Sequence, residues 1–249
     1  MKKSIAFLFL LGLFIQTKAQ FIERGEIEFE VKTNIKKTMG NSAWGEMMQD
    51  KLPNFKTSYY TLKFENNKSQ YIFNRWENKE SLNEMFRSSD EKSEWYTDYN
   101  TGNYIMNKDV FGSSFQIKDS IYKIDWKLSN ENRIIAGYNC RKAVGKILDS
   151  VYVFAFYTDE ITIPGGPCTI HGLPGMILGM TIPRLYCSWI ATKVTPSDKT
   201  TTTPLTEGKV VFNPAKAKET IIEKTKGWMD NSDPESYKWL TMMIWNVLL

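Results

Sequence analysis

The chain has 249 residues, of which 42% are hydrophobic and 24% are charged. This composition is typical of a globular protein and excludes a wholly disordered, a collagen-like or a multi-span membrane chain. The sequence contains one histidine, His171, which excludes any mechanism that needs two.

The first nineteen residues have the pattern of a secretory signal peptide. Lys2 and Lys3 precede an apolar run over residues 5–15, and Thr17 and Ala19 suit a signal-peptidase site. The run is too short for a transmembrane helix. Removal of residues 1–19 takes away three of 32 basic residues and leaves 29 against 28 acidic ones, a net charge of +1, so nucleic acid is a poor candidate partner. We expect an exported chain of residues 20–249 in the periplasm or at the outer membrane, without an N-terminal lipid.

Alternating apolar and polar residues predict strands soon after the expected cleavage site. In residues 25–33, Ile27, Phe29 and Val31 alternate with charged residues, which is typical of a strand with one wet face. Residues 58–65 alternate in the same way, and Asn66-Asn67 suits a hairpin turn to a strand at 68–76. Residues 40–52 suit a short helix, and 77–93 suit an exposed loop with a helical turn.

The rest of the chain predicts a run of short strands followed by two helices. The expected strands are 94–100, 103–108, 113–118, 123–129, 133–147 (with a bend allowed), 149–157, 176–183 and 185–194, and residues 130–132 suit a turn. Asn213-Pro214 and Asp233-Pro234 each have the pattern of a helix start, for helices that end near 228 and 247. Short, closely spaced strands favour antiparallel pairing.

We therefore predict a mainly β protein with helices, of the α+β class. The expected architecture is a single curved antiparallel sheet, a half-barrel similar to that of lipoprotein carriers, and a β-sandwich is the alternative. No linker divides residues 20–249, so we expect one domain. The last helix is predicted to dock on the sheet through its apolar face.

The most distinctive motif is Gly172-Leu173-Pro174-Gly175-Met176-Ile177. On this motif, on residues 137–143 around Cys140 and on residues 157–161, the chain resembles the GLPGLI family, with Met176 in place of a leucine. The resemblance implies a secreted protein of outer-membrane bacteria, encoded near TonB-dependent receptors, and it brings no established activity.

The GLPG motif itself predicts a turn, because glycine accepts positive φ and proline fixes φ near −65°. A ligand could approach the glycine backbone closely, so the candidate binding residues are His171, Gly172, Leu173, Pro174, Gly175 and Met176. Neither a phosphate-binding loop nor a nucleophile elbow is present in the sequence, and we expect no catalytic residue.

The three cysteines, Cys140, Cys168 and Cys187, allow one disulfide in an oxidising compartment, and their spacing does not decide which two pair. The resemblance favours Cys168–Cys187, because Cys140 matches a cysteine of the family. The alternative is a copper or zinc site of Cys168, His171 and Cys187, since thiolate and imidazole ligands suit these metals.

The expected function is that of a non-enzymatic binding or accessory module of the cell envelope, without a cofactor. Its partner would be an apolar or peptide ligand or an outer-membrane receptor. The alternative function is periplasmic copper or zinc handling.

Overall fold

One antiparallel sheet of eleven strands forms the frame of the molecule, in the order β6-β5-β4-β3-β2-β1-β11-β10-β9-β8-β7. The computed structural model describes residues 21–39, 52–82, 84–110, 112–148, 150–227 and 234–249. The strands are β1 Gly25–Asn34, β2 Phe55–Glu65, β3 Lys68–Trp76, β4 Glu94–Asp98, β5 Asn103–Val110, β6 Ser113–Ser120, β7 Lys127–Ile135, β8 Tyr138–Ile147, β9 Val151–Thr158, β10 Met176–Ile182 and β11 Cys187–Pro196. The helix predicted over 40–52 lies almost wholly outside the described residues.

The strand order explains why the sheet is curved. The chain runs outward from β1 to the edge strand β6, crosses to the other edge at β7, and returns to β11 beside β1. Only residues 121–126 join the two edges, and such a segment spans at most about 25 Å. A flat sheet of this strand number would be roughly 48 Å wide. The sheet must therefore curl until its edges approach, which confirms the predicted curved antiparallel sheet rather than the sandwich.

Alternation within the first strands follows the prediction. Ile27, Phe29 and Leu62 are fully buried, whereas the intervening residues of β1 are partly exposed. The hairpin turn is at Asn66-Asn67, with φ of 47° and 58°. Asparagine tolerates this left-handed conformation better than most residues, which is why this pair suits a two-residue turn.

In the described parts of the chain, four α-helices accompany the sheet: α1 Ile35–Met39, α2 Glu84–Glu91, α3 Pro214–Thr225 and α4 Pro234–Leu248. The start of α3 is as predicted, since the Asn213 side chain accepts a hydrogen bond from the Lys216 N–H at 2.8 Å. α4 docks through Met242, Ile244 and Val247, and the Leu249 carbonyl accepts a hydrogen bond from Trp95 Nε1 at 3.1 Å. Within the described segments, no helix is long and apolar enough to cross a bilayer.

Two strand predictions were wrong. Residues 123–126 are not in a strand because Ile124 and Trp126 pack over Gly145, where an added Cβ would lie 2.8 Å from both side chains. The predicted strand 133–147 is divided by a turn at Ala136-Gly137, with φ of 49° and 89°. The turn predicted at residues 130–132 is instead an irregularity within β7, where the pairing with β8 shifts register.

Candidate functional site

Residues 164–175, which we call the GLPG loop, precede β10 and fold back on themselves. Gly172 N–H donates to the Pro164 carbonyl at 3.0 Å, and Ile177 N–H donates to the Gly165 carbonyl at 2.9 Å. A largely buried loop must satisfy its backbone groups internally. These bonds do so, and they fix the path of the loop.

The loop divides the six predicted binding residues between core and surface. Leu173 and Met176 are buried, whereas Gly172 and Pro174 are exposed. Gly175 has φ of 140°, and a Cβ there would lie 2.0 Å from the Thr158 carbonyl oxygen. This close packing supports a turn that anchors the GLPG loop to β9. Ligand binding by the six residues stays a prediction.

His171, the remaining residue of the predicted set, is 7% exposed. Its Nδ1 lies 2.8 Å from the Thr169 carbonyl oxygen, which can only accept, so Nδ1 donates. Its ring centroid is 5.7 Å from that of Tyr122 and 6.3 Å from that of Tyr99. Burial lowers the pKa of His171, although hydrogen bonds to the backbone of Thr169 and Tyr122 raise it. The arrangement favours a neutral imidazole enclosed by aromatic rings.

The predicted Cys168–Cys187 disulfide is not formed, because all three cysteines are free and buried thiols. Cys187 Sγ lies 3.1 Å from Thr33 Oγ1. Burial raises the pKa of Cys168 and of Cys187 to about 12, and the Cys187 thiol further raises the pKa of Cys168. The fold therefore brings these two cysteines into one region, as protonated thiols. Cys140 lies apart from them, buried in β8.

The predicted metal ligands do not form a cluster. Across the described segments, no group of three or more His, Cys, Asp or Glu side chains could hold a metal ion. His171 Nδ1 is already bonded to a backbone carbonyl. Metal handling by Cys168, His171 and Cys187 thus has no supporting observation.

Lys108, a lysine in the core, is not among the predicted site residues. Its Nζ donates to the Asn246 carbonyl of α4 at 3.2 Å and lies 4.1 Å from the centroid of the Trp95 ring. No described carboxylate forms an ion pair with it, and burial lowers its pKa to about 8. Tyr104, Met106 and Lys108 are two residues apart along β5, so strand periodicity was the signal that placed Lys108 on the core face.

A polar cleft of about 550 Å³ lies where two hairpin turns meet the segment after β9. We call it the asparagine cleft, and it is lined by Glu23, Asn66, Asn67, Asn100, Thr162 and Ile163. A cleft of about 690 Å³ elsewhere has Pro53 and Asn54 in its lining, close after the undescribed residues 40–51. We take the asparagine cleft as the candidate site because its lining is mainly polar, whereas Pro53, Phe55 and Leu82 give the larger cleft a substantial apolar surface.

The asparagines of this cleft hold one another in place. Asn100 Nδ2 donates to the Asn66 carbonyl at 2.9 Å, and Asn67 Nδ2 donates to Asn100 Oδ1 at 3.3 Å. Phe21 is 59% exposed and is two residues from Glu23 in an extended segment that bridges Ile22 to Ile161. Because alternate residues of an extended chain point to the same side, Phe21 and Glu23 share one side of the segment. The cleft thus combines amides and a carboxylate, and the exposed ring of Phe21 lies two residues before that carboxylate in the chain.

A family model described as "N-glycanase peptide, N-terminal domain" matches residues 88–212, which is half of the chain. No curated protein matches the chain.

The matches to solved structures are distant. Two structures of PNGF-II, in C2 and P21 crystals, are 15% and 14% identical in sequence, each with a TM-score of 0.47. Each match covers 77% of this chain but 31% of the PNGF-II chain, so the present chain spans about a third of that protein. An uncharacterized conserved protein from Thermus thermophilus is 7% identical with a TM-score of 0.37, over 76% of this chain and 90% of that one.

Proposed function

This chain belongs to the family of N-glycanase peptide N-terminal domains, and from this premise we propose that it is an exported binding and accessory module of the cell envelope. Its ligand would be the saccharide of an N-glycosylated peptide, held in the asparagine cleft. The observation that carries the proposal is this open cleft, whose amide groups are fixed in position by their own hydrogen bonds.

The chemistry of the cleft suits a sugar. Asparagine amides both donate and accept hydrogen bonds, and a carboxylate such as that of Glu23 accepts them, which matches the hydroxyl groups of a saccharide. The exposed ring of Phe21 offers an apolar surface to a sugar ring. Fixed groups lose little conformational entropy when a ligand binds.

The two buried thiols and the imidazole are not placed to act at the asparagine cleft. Burial raises the pKa of Cys168 and Cys187 and lowers that of His171, and all three lie in the core. None of them lines the asparagine cleft.

Calorimetric titration with an N-glycopeptide, and with the same peptide without its glycan, tests the proposal. We expect binding only with the glycan. Glu23→Gln and Asn67→Gly should each weaken it about tenfold, which corresponds to about 1.4 kcal/mol. Glycine at position 67 keeps the positive φ of the turn while removing the amide.

Glu223→Gln, at an exposed carboxylate of α3, is the matched control and should bind like the unchanged protein. Equal affinity for both peptides, or unchanged affinity of both cleft variants, would exclude the asparagine cleft as a glycan site.

Export and an envelope partner complete the proposal. The pattern of residues 1–19 supports cleavage after Ala19 or Gln20, so N-terminal sequencing of the native protein should begin at Gln20 or Phe21. An intact Met1 would contradict export.

The resemblance to the GLPGLI family supports a TonB-dependent outer-membrane receptor as partner, which co-purification from the native envelope would test.

A further inference from the structure

The strands β7, β8 and β9 carry a concentration of positive charge. Residues 127–158 contain five basic and two acidic residues, a net charge of +3. Residues 20–249 as a whole have 29 basic and 28 acidic residues. Residues 20–249 without this stretch therefore have a slight excess of acidic residues, and the positive charge is local to β7–β9.

The strand register places most of these cations on one side of the sheet. Directly paired residues of antiparallel strands point to the same face. Lys127 pairs with Val144, Lys142 with Phe156, and Lys146 with Tyr152. We call this surface the cationic face, and its members are Lys127, Arg133, Lys142, Val144, Lys146, Tyr152, Phe154 and Phe156.

The cations surround a row of aromatic rings on β9. The Arg133 guanidinium lies 4.6 Å from the centroid of the Phe156 ring, and Lys142 Nζ lies 5.9 Å from that of Phe154. Tyr152 is 57% exposed. The row thus runs from a ring covered by arginine to a ring open to solvent.

Most of this charge is not neutralised by neighbours. Lys142 pairs with Glu131, whereas no described carboxylate forms an ion pair with Lys127, Arg133 or Lys146. The side chains of these three residues are exposed. Their charges are therefore available to a ligand.

Farther along the sheet, the same face carries glutamate side chains instead of basic ones. The row of paired residues runs from Lys142 through Phe156, Gly179 and Ile190 to Glu30 of β1. On β1, Glu26, Glu28 and Glu30 alternate with the core residues. Glu28 is paired there with a cation, Arg75, at 3.3 Å, so the excess of unpaired positive charge on this face is local to β7 and β8.

We propose that the cationic face binds an anionic polysaccharide, such as one that carries uronate groups. Carboxylates of the polymer would meet Lys127, Arg133 and Lys146, and a sugar ring would stack on Tyr152. The basic residues stand beside a row of aromatic residues that is about 13 Å long at roughly 3.3 Å per residue, and this linear arrangement fits an extended polymer better than a flat bilayer. This site uses residues different from those of the asparagine cleft and does not depend on that proposal.

Fluorescence anisotropy with labelled oligogalacturonate, on the full chain, tests the inference. Arg133→Glu with Lys146→Glu should weaken binding at least about tenfold, because attraction becomes repulsion. Tyr152→Ala should weaken it about fivefold by removing the stacking surface. The control, Lys209→Glu with Lys218→Glu, makes the same change of charge at exposed residues elsewhere and should have little effect.

The proposal would be overturned if oligogalacturonate did not bind, if neutral dextran bound equally well, or if the control pair weakened binding as much as Arg133→Glu with Lys146→Glu. It would also be overturned if single-stranded DNA and phosphatidylglycerol vesicles bound with the same affinity as oligogalacturonate and Tyr152→Ala had no effect. This last result would indicate nonspecific attraction of anions. Because Glu23→Gln and Asn67→Gly should leave oligogalacturonate binding unchanged, the two sites can fail independently.

Discussion

Substitution of Gly175 by alanine should destabilise the fold more than the same change at other glycines with positive φ. The added Cβ would lie 2.0 Å from the Thr158 carbonyl oxygen and 2.9 Å from Asp159 Cα, and both are backbone atoms. Either the loop or β9 must move, and φ of 140° is itself unfavourable for alanine. Backbone strain and overpacking together cost about 3–5 kcal/mol.

Chemical denaturation of Gly175→Ala measures this loss. Gly112→Ala and Gly137→Ala are matched controls, since φ is +74° and +89° there and no atom of the described residues lies within 4 Å of an added Cβ. These two substitutions measure only the cost of placing alanine at positive φ, and each should lower the free energy of unfolding by about 1 kcal/mol. Similar costs at all three glycines would show that the contact with Thr158 is relieved easily, and the GLPG turn would then not anchor the loop.

Substitution of Lys108 by methionine should stabilise the protein at pH 7. Lys108 is 9% exposed, and no described carboxylate pairs with its ammonium. Burial lowers its pKa from 10.5 to about 8, which corresponds to a penalty on the order of 3 kcal/mol for the charged form. Methionine removes that penalty, but it also removes the hydrogen bond to the Asn246 carbonyl, so we expect a net gain of about 1–2 kcal/mol.

The pH dependence gives a sharper test of the same prediction. Between pH 8 and 10.5 the unfolded chain keeps the Lys108 proton while the folded chain releases it, so this residue makes stability rise with pH. Above pH 9 the cysteines act in the opposite direction, because burial raises their pKa to about 12.

The diagnostic quantity is therefore the difference in unfolding free energy between the unchanged protein and Lys108→Met, measured from pH 6 to pH 10. The stabilisation by methionine should shrink as pH rises above 8. Lys218→Met, at an exposed lysine of α3, should show no such trend. A difference that does not vary with pH would mean that Lys108 keeps an ordinary pKa in the fold.

Local signals were sufficient for much of the secondary structure. The alternation of Ile27, Phe29 and Val31 predicted β1, and Asn66-Asn67 predicted the β2–β3 turn, because strand periodicity and left-handed φ depend on adjacent residues. The same reasoning failed at residues 123–126. The apolar Ile124 and Trp126 there alternate as in a strand, but they fill the space above Gly145, a residue distant in sequence.

Sequence alone determined most strands of the sheet, most of their turns and the start of α3, since each rests on spacing within a few residues. The tertiary structure decided that β1 pairs with β11 and that the sheet curls. It also decided that Lys108 lies in the core beneath α4, and that Glu23, Asn67, Asn100 and Thr162 line one cleft. Each of these features brings together segments that are far apart in the chain. They depend on how the helices and strands, once formed, pair their free edges and bury their apolar faces.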